Sequence, residues 1–289
     1  MKKQLERIGI VFSLPSIFFF FFLMTIPILF TIFISFSEWH GYQLSLIKFI
    51  GFNNYIEAFK DRVFLTSLLN TLIFVIISTI FLNLFGFIAA LIIDTKIPGT
   101  KFLKNVLFLP VILSPIIIGV MWSRMLDAFG IINNFLISIH LIKLPILFLG
   151  SQKIALYSII AAALWQYTGF DMILYYAGLQ GISTEVMDAA KIDGANQYRV
   201  ITKIILPLLS PIITIAVIFN VIGGFKVFDV VYVMTSGGPN HHTEVLSTYL
   251  FTQAFRLNQM GYASFIAMVI IVFSLIISII RLRATRDGF

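Results

Sequence analysis

Residues 65–93 read LTSLLNTLIFVIISTIFLNLFGFIAALII, a run of 29 residues without a charged side chain. An α-helix needs about 20 mainly apolar residues to cross the hydrocarbon core of a bilayer, so this run is long enough to span one. The whole chain shares this character, because 59% of its 289 residues are hydrophobic, 11% are charged, and the mean hydropathy is +1.00. A soluble domain carries about 25% charged residues. We therefore expect lipid to be the solvent for most of the surface.

Other apolar runs of similar length can cross a bilayer in the same way. Together with the first they lie at about 8–37, 65–93, 106–122, 154–179, 208–234 and 262–280. The sequence therefore predicts an all-α integral membrane protein with six transmembrane helices in a single domain, residues 1–289. The run at 8–37 far exceeds the apolar core of about 7–15 residues in a signal peptide, so we expect it to be retained.

The distribution of lysine and arginine predicts the orientation, because these residues concentrate on the cytoplasmic side of membrane proteins. Of the 20, twelve fall on one side of the predicted bundle, seven fall on the other, and Lys226 lies inside a predicted span. The twelve are Lys2, Lys3, Arg7, Lys96, Lys101, Lys104, Lys191, Arg199, Lys203, Arg281, Arg283 and Arg286. The seven are Lys48, Lys60, Arg62, Arg124, Lys143, Lys153 and Arg256. Both termini are therefore predicted to be cytoplasmic.

Several kinds of chemistry are excluded by the sequence. The chain has no cysteine, which excludes disulfides, cysteine-ligated metals and thiol catalysis. It has no Gly-x4-Gly-Lys-Ser/Thr sequence, so it lacks a Walker A loop for ATP phosphates. His241 and His242 have no acidic or cysteine companions at ligand spacing, so no metal site is predicted. The net charge of +7 lies in short clusters beside apolar runs, which are topology signals rather than a nucleic-acid surface.

The predicted cytoplasmic loop at 183–207 reads STEVMDAAKIDGANQYRVITKIILP and is longer than a passive connector. It predicts two short helices, the first capped by Ser183 or Thr184 and carrying acidic residues near the positive end of its dipole. Gly194 permits a sharp bend between the helices. The second helix is expected to place Tyr198, Ile201 and Ile205 on one stripe and to end at Pro207. Such a loop is either a docking element inserted into a groove of another protein or an amphipathic connector at the membrane surface.

The same loop closely resembles the EAA loop in permease subunits of binding-protein-dependent ABC importers. The matching segments are Asp188-Ala189-Ala190, Asp193-Gly194-Ala195 and Ile204-Ile205-Leu206-Pro207. The resemblance implies a coupling helix seated in a cleft of a separate ATPase. The residues assigned to this coupling are Glu185, Asp188, Ala189, Ala190, Asp193, Gly194 and Ala195. Asp188 stands where the family usually has glutamate, so the charge is kept with one methylene less.

Other segments resemble the sugar-permease branch of that family, of the MalF or UgpA type. They are the residues 49–55, 235–239 and 261–264. The resemblance implies a type I importer permease fold and a place in a bacterial or archaeal cytoplasmic membrane. It also implies a heterodimer with a MalG-type sister, a dimer of ATP-binding subunits that hold ATP and magnesium, and an extracytoplasmic solute-binding protein. The cargo implied is a sugar, an oligosaccharide or a glycerol phosphate, and this chain itself is expected to bind no cofactor and to be no enzyme.

The predicted fifth span is unusually polar, and polar groups inside a membrane usually face a cavity or the bundle interior. Two adjacent glycines allow close helix approach or local unwinding there, and Lys226 and Asp229 at i and i+3 can pair. The predicted substrate-pathway residues are Asn220, Gly223, Gly224, Phe225, Lys226, Phe228, Asp229 and Tyr232, followed by Trp165 and Gln166 in the fourth span. The alternative is an internal ion pair that only fixes helix packing. We read Asp171 as a local cap or pair and Asn83 as an interhelical hydrogen bond.

Two other classes of protein fit the hydropathy. A secondary transporter needs intramembrane acids arranged as a relay and usually a repeated half, and Asp171 and Asp229 are too sparse for that. An intramembrane enzyme needs a nucleophile with a base, or a metal constellation, and the sequence offers neither.

Overall fold

The computed structural model describes residues 13–95 and 97–286, without the side chains of Lys191, Thr285 and Arg286. Four of the basic residues used to predict the orientation therefore lie outside the described residues, as does the start of the first predicted span at 8–12. These four are Lys2, Lys3, Arg7 and Lys96.

The described chain is mostly helical, as predicted. Its helices are α1 (Ser13–Ser35), α2 (Asn53–Ala58), α3 (Arg62–Asp94), α4 (Thr100–Ile112), α5 (Pro115–Met125), α6 (Ile131–Ser138), α7 (Ala155–Gln180), α8 (Thr184–Ile192), α9 (Gln197–Leu208), α10 (Ser210–Phe225), α11 (Asp229–Thr235), α12 (Leu246–Phe251) and α13 (Met260–Arg286). A short antiparallel ribbon pairs β1 (Ser37–Glu38) with β2 (Lys48–Phe49).

Length and composition identify candidate membrane spans among the described residues. Three helices qualify alone, namely Ser13–Ser35, Arg62–Asp94 and Met260–Ala284, and the bent pairs α4–α5 and α9–α10 raise the number to five if each is one span. The predicted fourth span coincides with α7, which is long enough but not apolar enough to be among the five. Gln166 and Asp171 reduce its hydropathy, and both are buried in the protein rather than turned to lipid. Six spans remain a prediction.

The predicted third span is not one straight helix, because α4 and α5 meet at an angle of 102°. Pro115 begins α5 and has no N–H to continue the helix from α4. Ser114, the residue before it, has an extended ψ of 136°, as expected for a residue that precedes proline. The bend therefore follows from local sequence.

The predicted fifth span is interrupted twice. α9 and α10 meet at an angle of 70°, and Pro207 lies inside α9 instead of ending it. α10 ends at Phe225 and α11 begins only at Asp229, directly after the two glycines that weaken the helix. The local unwinding that these glycines allow is therefore present.

Residue contacts divide the chain into two compact units. One contains the described residues up to Arg62 together with Tyr249–Ile271, and the other contains Val63–Thr248 and the residues from Val272 onward. In the first, the Asp61 carboxylate accepts hydrogen bonds from the Tyr249 and Tyr262 hydroxyls, at 2.5 and 2.8 Å. These bonds tie the start of α3 to the chain around α12 and α13.

In the second unit, α7 is held closely by its neighbours through glycines. A Cβ added to Gly86 of α3 would lie 2.5 Å from the Cβ of Asp171, and one added to Gly169 of α7 would collide with the carbonyl of Leu107. Such close approach is typical of helices that pack in membranes through small residues. It places the polar residues of α7 deep in this unit.

Candidate functional site

A cavity of about 320 Å³ lies within the second unit, where α10 ends and α11 begins. Six of the ten predicted substrate-pathway residues line it, namely Asn220, Gly223, Gly224, Lys226, Phe228 and Asp229. Most of the remaining wall is aromatic or apolar and includes Phe74, Tyr167, Phe170 and Phe219. A mainly apolar pocket with a few polar groups is the usual form of a small-molecule site.

The other four predicted residues are not on the cavity wall. Phe225 is buried and packs against Phe273, with ring centroids 6.0 Å apart. Tyr232 stacks on the cavity residue Phe228, with ring centroids 5.0 Å apart. Trp165 meets Trp122 edge to face and is partly exposed.

Gln166 has a structural task at the bend between α4 and α5. It is buried, and its Nε2 donates a hydrogen bond to the carbonyl of Leu113 at 3.2 Å. That carbonyl lies at the break in the helix, where the regular hydrogen bonds of the backbone stop. Gln166 therefore satisfies a backbone group that the bend frees.

Lys226 and Asp229 do not form the predicted pair. Among the described residues, no ion pair joins them, because the helix ends between the two and they no longer share a face. Both side chains are exposed and line the cavity. The cavity therefore carries one cation and one anion on the same stretch of wall.

Asp171 pairs across helices rather than capping its own. It is fully buried, and the Nδ2 of Asn220 donates to its two carboxylate oxygens at 3.2 and 3.1 Å. The amide nitrogen of Asn220 is bonded to Asp171. The amide oxygen therefore remains as the hydrogen-bond acceptor that Asn220 can present to the cavity. The interhelical hydrogen bond predicted for Asn83 is confirmed, since the Tyr175 hydroxyl donates to its Oδ1 at 2.5 Å.

The loop at 183–207 forms the two predicted helices, α8 and α9. Ser183 caps α8, its Oγ accepting from the N–H of Val186 at 3.4 Å. After α8, Gly194 has a φ of +68°, and the N–H of Ala195 donates to the carbonyl of Ala190 at 3.0 Å. This is the Schellman closure, which needs a left-handed residue that is usually glycine. The requirement for Gly194 is therefore conformational.

A second cap was missed in the sequence. The Oδ1 of Asn196 accepts from the N–H of Arg199 at 2.9 Å and starts α9. Asparagine is a favoured N-cap residue and stands directly before the helical run that begins at Gln197, so its position in the sequence is a usable signal. The turn between α8 and α9 is thus closed by hydrogen bonds on both sides of Gly194.

One face of the loop packs on the body of the protein and the other is exposed. Met187, Ile201 and Ile205 join a core cluster formed with residues of α3, α7 and α10, so Ile201 and Ile205 share one face as predicted. Tyr198 does not follow the predicted stripe, since it is 74% exposed, and Ile192 is 86% exposed. Of the predicted coupling residues, Glu185, Asp188, Ala189, Asp193 and Gly194 are exposed, Ala195 is half-buried, and Ala190 is buried within this chain.

His241 does have an acidic companion, contrary to the expectation from the sequence, because Glu244 stands three residues after it. Its Nδ1 lies 3.1 Å from Oε2 of the buried Glu244, and the Nδ2 of Asn70 donates to the carbonyl of Glu244 at 2.9 Å. In residues 13–95 and 97–286, no group of three histidine or acidic side chains is arranged to hold a metal ion.

The comparisons with known proteins define the class. The model of the family described as binding-protein-dependent transport system inner membrane component matches residues 83–285. The match includes the 183–207 loop and most of the residues that line the cavity, although Phe74 lies before it. The chain belongs to this family and is an integral membrane protein, and the family resemblance of the sequence is confirmed.

Relatives cover the full length of the chain. The probable ABC transporter permease protein YurN of Bacillus subtilis (strain 168) is 33% identical over 291 residues, which cover 100% of this chain and 99% of the relative. The lactose transport system permease protein LacF of Rhizobium radiobacter is 31% identical, covering 99% of this chain and 97% of the relative. A chain of the bacterial alginate ABC transporter has the same fold, with a TM-score of 0.84 at 22% identity over 99% of this chain and 97% of that chain. The predicted type I permease fold is thereby confirmed.

Proposed function

We propose that this chain is the transmembrane subunit of an ATP-driven importer and forms half of the translocation pathway for a carbohydrate. The observation that carries this proposal is the exposed turn at Gly194, closed by its own hydrogen bonds and bordered by exposed acidic and apolar side chains. In a connector that faces water, exposed Ile192 and Tyr198 would leave apolar surface in contact with solvent, whereas in a docking element the partner would cover it. Its partner would be a dimer of ATP-binding subunits that hold ATP and magnesium, since this chain has no Walker A loop.

The chemistry of the cavity supports a carbohydrate cargo. Aromatic rings such as Phe228 and Tyr167 present flat apolar faces on which the C–H side of a sugar ring can pack, and Asn220, Lys226 and Asp229 supply hydrogen-bond partners for hydroxyls. The LacF relative belongs to a lactose transport system, and the alginate transporter was solved with a pentasaccharide-bound periplasmic protein. Delivery by an extracytoplasmic binding protein is therefore part of the proposal.

The proposed assembly is a heterodimer with a MalG-type sister in a bacterial or archaeal cytoplasmic membrane. This chain would contribute six spans in a single domain, 1–289, with both termini cytoplasmic, which agrees with its excess of lysine and arginine on that side. The exposed positions of Lys226 and Asp229 leave the cavity open on one side. The sister would supply the missing wall.

Co-purification tests the assembly. The chain, tagged and extracted in mild detergent from cells that express its operon neighbours, is expected to bring down an ATPase and one second permease. Uptake of labelled sugar should stop when ATP is depleted and should persist when the proton gradient is collapsed. Recovery of the chain alone, with uptake that follows the proton gradient, would instead indicate a secondary transporter and contradict the proposal.

A further inference from the structure

The segment of residues 126–153, which links α5 to α7 and contains α6, folds as a fixed hairpin. Its shape is set by Asn133, which is fully buried. The Nδ2 of Asn133 donates to the carbonyls of Asp127 at 2.9 Å and Ile146 at 3.0 Å, and its Oδ1 accepts from the N–H of Ile146 at 2.8 Å. We call this segment the 126–153 hairpin.

The inner face of the hairpin lies directly on the ends of the spans. Leu126, Ile132 and Phe148 pack into the core cluster formed with α7 and α11. The hydroxyl of Ser158, in the first turn of α7, donates to the carbonyl of Phe148 at 3.2 Å. The hairpin is therefore held at the level where α5 leaves and α7 enters the membrane, and it cannot extend far into water.

The outer face of the hairpin is also apolar, which is unusual for a loop in water. Phe129, Phe135 and Leu144 are 85%, 61% and 78% exposed. The other large apolar residues exposed on the hairpin include Ile131, Ile139, Leu141 and Leu147. Soluble surfaces rarely carry so much exposed apolar area in one place, so a permanent cover is expected.

The charges around the hairpin point to what covers it. Arg124, Lys143 and Lys153 are exposed on or beside it, whereas Asp127 is the acidic residue of the segment. Exposed aromatic and aliphatic side chains with basic neighbours are the pattern of a helix that lies in the boundary between headgroups and acyl chains. A binding protein docks and leaves, so it would expose this face to water between visits, while the bilayer beside α5 and α7 is always present.

We propose that the 126–153 hairpin lies in the lipid interface, with Phe135 and Leu144 among the acyl chains and the basic residues at the phosphates. Its placement in the outer leaflet rests on the proposed topology, but its contact with lipid does not. The hairpin is thereby a lateral anchor that holds α5 and α7, and the cavity between α7 and α11, at a fixed depth in the membrane.

The absence of cysteine from the chain allows a direct test. Phe135→Cys and Leu144→Cys are spin-labelled in the assembled transporter, in nanodiscs of phosphatidylcholine and phosphatidylglycerol. The same treatment of the unsubstituted transporter measures the background from label that attaches to the partner subunits. Gln152→Cys, at a polar exposed position at the end of the hairpin next to Lys153, is the control for the water and headgroup side, and Ile80→Cys, at an exposed apolar position of α3, is the lipid reference. Collision rates with oxygen and with a water-soluble nickel chelate are measured at each site.

The labels at 135 and 144 are expected to match the label at 80, with frequent oxygen collisions and nickel collisions several-fold rarer than at 152. Nickel access equal to that at 152 would place the face in water and overturn the proposal. Protection from both reagents would mean that a protein covers it, which also overturns the proposal. As an independent check without labels, brominated acyl chains should quench the added emission of Leu144→Trp and not that of Gln152→Trp; equal quenching would contradict lipid contact.

Discussion

The turn at Gly194 and the cavity at Lys226 both form where a helix stops near glycine, but different forces stabilise the two interruptions. At the turn, backbone hydrogen bonds and the Asn196 cap close the structure locally, and among the described residues no atom beyond the adjoining residues lies within 4 Å of a Cβ added to Gly194. At the cavity, a Cβ added to Gly224 would lie 2.9 Å from Cγ2 of Val75. The first glycine is required by conformation and the second by packing.

This difference separates two functions. A turn that is complete by itself keeps its shape while its outer face is left to a partner, which suits a docking element. A break that depends on neighbouring helices changes when those helices move, which suits the wall of a transport pathway. Substitutions at the two places should therefore fail in different ways.

The largest effect is expected at Gly194. Gly194→Val forces a β-branched residue into the left-handed region, which costs about 1–2 kcal/mol and opens the end of α8. We expect normal membrane insertion with loss of nearly all ATP-driven uptake. Gly194→Asn is the matched control, because asparagine tolerates this conformation and should retain most uptake. Uptake of both variants at the unsubstituted level would show that the turn does not couple transport to ATP.

The next effect concerns packing at the cavity. Gly224→Val should lower the free energy of unfolding in a denaturant titration by about 1–3 kcal/mol, because the added atoms collide with Val75. Gly223→Ala is the neighbouring control, since no atom of the described residues outside its own helix backbone and adjoining residues lies within 4 Å of the added Cβ. Its stability should equal or slightly exceed that of the unsubstituted chain. Equal stability of the two variants would remove the packing explanation.

A smaller effect is expected for the pair of Asp171 and Asn220. A double-mutant cycle with Asp171→Ala and Asn220→Ala should give a coupling of about 1 kcal/mol, typical of the stronger interhelical hydrogen bonds in membranes. The measurement is the free energy of unfolding of the two single variants and the double variant. Strictly additive losses would mean that the two side chains do not support each other.

The smallest effect on stability is expected for Lys226 and Asp229. Because no ion pair joins them, Lys226→Met and Asp229→Asn should each change the free energy of unfolding by about 0.5 kcal/mol or less. Both should nevertheless alter the apparent KM for uptake, since both line the cavity. A large loss of stability in each single variant, restored in the double variant, would revive the ion-pair interpretation.

The sequence predicts those features that are set locally. The apolar runs, the unwinding after Gly223 and Gly224 and the two helices of the 183–207 loop are predicted from composition and glycine, and the bend at Pro115 has an equally local cause. Six of the ten substrate-pathway residues are on the cavity wall because they surround one such local break.

The remaining features depend on which side of a helix faces inward. A helix that is apolar on every side gives little indication of its rotation, so Phe225 could not be assigned to the core, nor Tyr167 and Phe170 to the cavity. The pair of Asp171 and Asn220 joins residues 49 positions apart, and no local pattern reports it. The prediction for Tyr198 was wrong for a similar reason. Its spacing fits the buried stripe, but it lies one turn before Ile201, outside the part of α9 that packs on the core.

The central claim is that the 183–207 loop docks on a separate ATPase, and the labelling rate of one position tests it most directly. Ile192→Cys, at the most exposed apolar position of the loop, is treated with a water-soluble maleimide in membranes with and without the ATP-binding subunits, and Gln152→Cys reports general access. We predict that the ATPase slows labelling at 192 several-fold and leaves labelling at 152 unchanged. Labelling at 192 that is equally fast with and without the ATPase would contradict the account.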